Sequence, residues 1–590
     1  MGGSPIHVDR LEAKRVIVIL IDAILIVGLG TVLFSGLMST ARAFALFTAA
    51  VIITGRIPFN DALDRLTTPA ILAVTSLVII ASALARLPGL SRAVFGRAGR
   101  GPRLTLARFL GSAALASSVI PNTAVVAALL GPAARRPDVS PHLLLLPLSY
   151  MALAGGMLTP FGTSASLMVT GEAARLGVDL SVFDFALPGA TVALVVFAAL
   201  VLAAPIVLKE RKAPEADTSG IFHIEARIEE GSALINQSVA AASLRKLHSF
   251  YLAEIIRDKR VIRPVHPAFV LNPGDRLILV GDVSHFDELH GINGLTLDAA
   301  PKRQNTEEFF HAVISGQSLL DGKTLREADF RARFNASVMA VRRGEERLSG
   351  KLGDIRLRTG DVLILSAGPD FGSRDNVRPN LHILDIESPG QTPMPTRTAW
   401  ALGLSFVTFL GVALTQVIPF HHAALALAAL VVGLNWTSAR EVRRNFPFDL
   451  VIILWGAVLL SLLITQSGAA AAAAAFIAAL TGNLPPYAAL AMIFFFAWAM
   501  TELFSNASAA LTALPVALAT ASQLGLPPEA FALATAFGAS ASFFMPFGYQ
   551  THLMVMTPGR YRLSDFLGLG GIVFVAYATG TLTVLTFLYL

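Results

Sequence analysis

Long apolar segments punctuate this chain, each able to cross, or nearly cross, about 30 Å of hydrocarbon. They lie at about 16–36, 41–55, 69–86, 142–170 and 186–208, and again at about 398–418, 420–436, 449–466, 530–555 and 566–590. Between the two groups, residues 209–397 hold 26 Lys+Arg and 26 Asp+Glu, out of 46 and 40 in all 590 residues. With 15% charged residues, against about a quarter in a soluble protein, the chain reads as an integral membrane protein with one soluble insert. The first fifteen residues are polar and no small-residue cleavage site follows the first apolar run, so no removable signal peptide is expected. The sequence has no cysteine, which excludes a disulfide scaffold, a thiol nucleophile and cysteine-ligated metals.

Two further apolar stretches, 104–130 and 487–521, are interrupted by Pro121-Asn122-Thr123 and Ser505-Asn506-Ala507. A polar break between two short apolar arms suits a re-entrant hairpin better than two full spans. Ten crossings and two hairpins, with the insert in the cytoplasm, put 14 Lys/Arg and four acids in the inner loops, against six and eight outside. Positive charge collects on the cytoplasmic side of membrane proteins, and the count selects this orientation. Only the tail with Arg10, Lys14 and Arg15 is discordant.

An internal repeat organises the spans. Residues 160–169, PFGTSASLMV, and 546–555, PFGYQTHLMV, agree at six of ten positions. Asn122 precedes Pro160 by 38 positions and Asn506 precedes Pro546 by 40. Five crossings per half is an odd number, so the second copy is expected to be inverted. Inverted repeats with interrupted helices are how secondary transporters place a site at the bilayer midplane, where unwound carbonyls take a cation and helix N-termini an anion. Asn122 and Asn506 can each cap the following helix while presenting an oxygen to an ion. Thr163, Tyr549, Gln550 and Thr551 add polar groups at the other two breaks.

These residues resemble the divalent anion:sodium symporter family, over nearly the whole chain. They especially resemble the bacterial and algal members with two TrkA-C (RCK C-terminal) domains in the central cytoplasmic loop. The likeness rests on PNT at 121–123, TELFSNASAALTALP at 501–515, GGMLTPFGTSASLMVTG at 155–171 and FFMPFGYQTHLMVMTPGRYRLSDFLGLG at 543–570. It implies a sodium site at Ser117, Pro121, Asn122 and Gly162, and a second at Thr501, Phe504, Asn506 and Gly548. It implies a substrate held between Asn122, Thr123, Thr163 and Ser164 on one side and Asn506, Ala507, Tyr549 and Gln550 on the other. It further implies a homodimer of the inner membrane working by an elevator movement, with sodium as coupling ion and no other cofactor. The chain departs from the family at Pro121, Ala507, Ser166 and His552.

The domains expected are a first membrane repeat at 1–208, TrkA-C-like domains at 209–300 and 301–397, and a second repeat at 398–590. Within the insert Gly231-Ser232 and Gly316-Gln317 open two copies, and Gly274-Asp275 recurs as Gly360-Asp361, 86 positions on. Each copy is expected to be a small α+β domain, and the absence of G-x-G-x-x-G argues against a dinucleotide site. Dimerisation or structural packing and sensing of a small-molecule ligand are both open for the insert, and its balanced charge argues against nucleic acid. Other membrane polar groups stay open at this level. Glu502 serves a cation, a proton or the hairpin backbone; Asp22 faces headgroups or packs a helix; His552 is a neutral hydrogen bonder or a cationic anion site; His421-His422 is solvated surface. Sodium-coupled symport of sulfate or a dicarboxylate is the leading function. Proton coupling or anion exchange by the same fold is the alternative, and an ion channel gated by the insert is a lesser one. No nucleophile–base pair or H-E-x-x-H is present, so no enzyme is expected.

Overall fold

The computed structural model describes residues 5–590 except the stretches 85–100, 209–221, 245–249, 282–291, 298–301, 304–309 and 384–393 and scattered shorter ones. Phe504, Gly316-Gln317 and several loop arginines, Arg86 to Arg100 among them, lie outside the described residues.

Among the described residues, nine helices precede the insert: α1 (Pro5–Ser35), α2 (Thr40–Ile53), α3 (Phe59–Leu66), α4 (Pro69–Leu84), α5 (Pro102–Ser117), α6 (Asn122–Ala134), α7 (Pro141–Gly156), α8 (Ser164–Arg175) and α9 (Val182–Val207). Those after it are α10 (Thr396–Thr415), α11 (Phe420–Gly433), α12 (Phe448–Gln466), α13 (Ala469–Thr481), α14 (Pro486–Leu503), α15 (Asn506–Leu524), α16 (Pro528–Ala539), α17 (Gln550–Met556) and α18 (Leu563–Tyr589). Among the described residues, six helical stretches are long and apolar enough to cross a membrane. The apolar runs at 142–170 and 530–555 each divide into two helices, ending at Gly156 and Ala539 and resuming at Ser164 and Gln550. Two features depart from the sequence reading. The polar tail is helical from Pro5 onward, and a helix outside the expected spans, α13, packs on α15.

Local signals explain several ends. Ser181 caps α9 by accepting the Asp184 N–H, while the Asp184 carboxylate accepts the Ser181 N–H at 2.7 Å, a reciprocal capping box. Helix α9 lies along α18. Each runs a glycine directly over an irregular segment: a Cβ on Gly189 would strike the Met157 carbonyl, and one on Gly570 the Phe543 carbonyl. The two long helices therefore press on the two breaks at matched points, the eighth residue of each. Asp22, inside α1, is buried and grips Arg56 through two bonds of 2.5 and 2.7 Å, so it is an ion-paired packing residue.

The insert forms two antiparallel sheets. The first comprises β1 (Phe222–Ile228), β2 (Phe250–Arg257), β3 (Arg260–Ile262), β4 (Arg276–Gly281), β5 (Leu295–Leu297) and β6 (Lys302–Arg303), in the order β3-β2-β4-β1-β5 with β6 beside β1. The second comprises β7 (Phe310–Ile314), β8 (Ala336–Arg343), β9 (Glu346–Arg347), β10 (Val362–Ala367) and β11 (Leu381–Ile383), in the order β11-β7-β10-β8-β9. Read from the other edge, the second order is the first. One ion pair recurs too. Arg257 forks onto Asp275 with both bonds at 2.7 Å and also donates to the Val270 carbonyl. Arg343 forks onto Asp361 with both bonds at 2.8 Å and also donates to the Arg356 carbonyl. The helices described in the insert are single turns such as Phe330–Phe334.

Removing one partner of a buried, charge-assisted pair leaves the other uncompensated, at a cost of about 1.5–3 kcal/mol. Arg343→Ala should therefore loosen the second sheet alone. Hydrogen exchange should speed up at Val341 and Leu363 and stay unchanged at Leu277 and Leu279.

Candidate functional site

The first hairpin turns at Pro121. Proline has no N–H to continue α5 and biases its predecessor away from the helical region, so the chain restarts as α6 at Asn122. The Asn122 side chain is buried, with its amide 2.5 Å from Ser117 Oγ. In the orientation that satisfies its surroundings, Nδ2 donates to the carbonyls of Gly162 and Ala152, both at 3.1 Å, and Oδ1 accepts from the Tyr549 hydroxyl at 3.2 Å. One asparagine thus joins the hairpin, both sides of the first helix break, and the opposite half of the chain.

The break itself, between Gly156 and Ser164, is held from three sides. Thr159 Oγ1 donates to the Ser118 carbonyl in the hairpin. Thr163 caps α8, its Oγ1 accepting the Ser166 N–H at 3.0 Å and lying 2.8 Å from Ser166 Oγ. Gly162 leaves no room for a side chain, because a Cβ would come within 2.6 Å of the Ser117 carbonyl and against that of Gly156. The carbonyls of Ser117, Gly156 and Gly162 and the Ser117 hydroxyl therefore crowd beside Asn122. This set of neutral oxygens suits a hard monovalent cation better than a soft metal.

The second hairpin repeats the key contact. Thr501 Oγ1 donates to Asn506 Oδ1 at 2.9 Å, the same five-residue spacing as Ser117 to Asn122. Ser505 caps α15 and lies 2.7 Å from Ser508 Oγ. Gly548 sits against Ser542 Oγ, and a Cβ on it would be 3.5 Å from Glu502 Oε2. Among the described residues, the buried hydroxyls of Ser540 and Ser542 have no hydrogen-bond partner. Glu502 Oε1 accepts the N–H groups of Phe543 and Phe544, both at 3.3 Å, so this carboxylate ties the hairpin to the second break.

The halves interlock: α6 lies against α17, and α15 against α8. His552 bridges them through both ring nitrogens. Its Nε2 is 2.7 Å from the Ser542 carbonyl and its Nδ1 2.7 Å from Ser149 Oγ, which also lies 2.6 Å from Thr551 Oγ1. The carbonyl can only accept, so Nε2 carries a proton, while the Ser149 hydroxyl can either donate to Nδ1 or accept from it.

Of the residues expected at the site, Asn122 and Tyr549 meet directly, while Asn506 meets Thr501 and Thr163 caps its own helix. Thr123 and Ser164 are half-buried, Ala507 is buried and Gln550 is exposed. Pro121 is half-buried at the turn and Gly548 at the second break. Sequence reasoning missed Ser149 and Thr159. A serine inside the apolar run LLLLPLSYMALAGG was the available signal for the first. His421 is half-buried and His422 exposed, and no cluster of three His, Asp or Glu side chains able to hold a metal occurs among the described residues.

The profile of the family described as citrate transporter matches residues 18–585. An uncharacterized transporter of Synechocystis sp. is 31% identical over 479 residues, covering 77% of this chain and 78% of its own length. Two proteins of Chlamydomonas reinhardtii are similar over 366 residues, 59% of this chain: a probable sodium/sulfate cotransporter 3, 29% identical over 40% of its length, and sodium/sulfate cotransporter 2, 27% identical over 41%.

The crowding at Gly162 can be measured on the folded protein. Overpacking a tight backbone approach costs about 1–3 kcal/mol, so Gly162→Ala should lower the melting temperature in detergent. Gly111→Ala, whose Cβ would meet only Phe197 at 4.0 Å, should leave it unchanged.

Proposed function

This chain belongs to the citrate transporter family, and from that premise we propose that it is a sodium-coupled secondary transporter of a small divalent anion, sulfate before dicarboxylate. The observation that carries the proposal is the paired asparagine geometry. Two buried asparagines, each bonded to a hydroxyl five residues earlier, start the helices after two hairpin turns, and Asn122 touches the break of the other half. Matched elements in both halves support an inverted repeat: α1 with α10, α2 with α11, α4 with α12, and α5 to α9 with α14 to α18.

In this reading one sodium replaces the Asn122 amide N–H groups at the oxygens of Ser117 and Gly162, and the Asn122 side chain turns its oxygen to the ion, with the Pro121 segment completing the site. A second takes those of Thr501, Asn506 and Gly548 with Phe504. The anion sits between them, against Thr123, Thr163 and Ser164 on one side and Ala507, Tyr549 and Gln550 on the other. None of these residues is cationic, so the attraction comes from the N-termini of α6, α8 and α15 and from the bound sodium. Anion affinity is then sodium-dependent, because removing the ion removes the only full positive charge. The names of the Chlamydomonas relatives favour sulfate. The same reading has a homodimer in the inner membrane, a hairpin-bearing body moving as an elevator, and two cytoplasmic TrkA-C domains.

Purified protein in vesicles should take up sulfate down a sodium gradient and not down a proton gradient alone, with succinate and citrate as competitors. Losing even 1.4 kcal/mol of binding is about a tenfold effect, so Asn122→Ala and Asn506→Ala should each cut uptake by at least that factor. Undiminished sodium-driven uptake in both variants would refute the site.

A further inference from the structure

The two insert sheets differ in one systematic way. Side chains alternate across a strand, so residues opposite one another on neighbouring strands share a face. In the first sheet Arg276, Arg227 and Thr296 form such a row across β4, β1 and β5, on the face away from Ala226, Leu277 and Leu279 of that sheet's own core. Arg227 is exposed and Arg276 is bonded to Glu225 at 2.7 Å, as suits a row that meets water. In the second sheet, 86 positions on, the same row reads Val362, Val313 and His382 across β10, β7 and β11.

Val313 is fully buried and Val362 is 6% exposed, although both point away from their own sheet's core. They pack instead into the core formed by the membrane helices. Beside them Gly360, at φ +86°, rests on the backbone of Leu553 in α17, where a Cβ would come within 2.6 Å of the Leu553 carbonyl oxygen. Its counterpart Gly274, at φ +80°, would meet nothing within 4 Å. Strand β11 lies against α6. The two elements touched are those that bring Asn122 and Tyr549 together.

We infer that the face of the second insert domain formed by Gly360, Val362, Val313 and β11 is a docking surface for α6 and α17, and that its seat restrains the hairpin body and slows turnover. The seat follows from the contacts; the restraint rests on the transport reading above. A contact made in one arrangement stabilises that arrangement against the others a cycle must visit. Among the described residues, the matching positions of the first domain carry Arg227, Arg276 and an unobstructed Gly274 instead.

The absence of native cysteine allows a clean test on the full chain in vesicles. A single cysteine at His382 reports seating by its rate of maleimide labelling. Val313→Arg with Val362→Arg installs the residues that the first sheet carries at the same positions, so the fold tolerates them. Gly360→Ala unseats without adding charge, and Gly274→Ala repeats its backbone strain where nothing is docked. Labelling should rise about tenfold in the double arginine variant and in Gly360→Ala, and stay level in Gly274→Ala. Sulfate turnover should rise about threefold in the same two variants, with KM unchanged. Level labelling in both, or equal labelling in Gly360→Ala and Gly274→Ala, overturns the seat. Faster labelling with unaltered turnover overturns the restraint. Absence of uptake by the unmodified chain would sink the transport reading, while labelling still decides the seat.

Discussion

Hydrocarbon supplies no hydrogen bonds, so every backbone group released where a membrane helix stops must find its partner within the protein. This chain stops four of its apolar helices partway and answers the demand with a few polar side chains. Asn122 takes the carbonyls of Ala152 and Gly162. Glu502 takes two freed N–H groups, at Phe543 and Phe544. Thr159, Thr163 and Ser505 cover further ones. Because Asn122, Glu502 and Thr159 each belong to one hairpin or break and serve another, satisfying the backbone also fixes where the four interruptions lie. The same carbonyls that must be satisfied by an amide can be satisfied by a cation, which is why such a cluster can bind one.

The constraint also explains the glycines. Gly162, Gly189 and Gly570 sit where a helix or break meets a carbonyl at a distance that no Cβ permits. Close backbone approach keeps the irregular segments covered by protein instead of lipid. Large side chains such as Phe543 and Tyr150 fill the remaining volume, the tyrosine hydroxyl donating to the Phe543 carbonyl at 2.8 Å.

In the insert a different rule operates. A strand's two faces can diverge independently, since successive side chains never share one. Both sheets keep the inward residues and the Arg–Asp fork that hold them together, while the outward row has changed from Arg, Arg and Thr to Val, Val and His. Duplication preserved the scaffold and left one face free to acquire a contact.

Much of this was legible beforehand because it is local. The hairpin turns follow from Pro121 and the Ser505-Asn506 cap, the helix breaks from two Pro-Phe-Gly segments, and the matching of the sheets from an 86-residue offset. The roles of Glu502, His552 and Asp22 do not follow from sequence, because their partners lie 41, 403 and 34 positions away. The sequence alone determined where helices could not continue, since the proline and capping signals act within a turn or two. Only the tertiary structure decided which interruption answers which: that Tyr549 meets Asn122, that Ser149 reads His552, and that Val313 faces membrane helices instead of water. Those choices depend on how the halves pack, and packing is a property of shapes meeting across hundreds of residues.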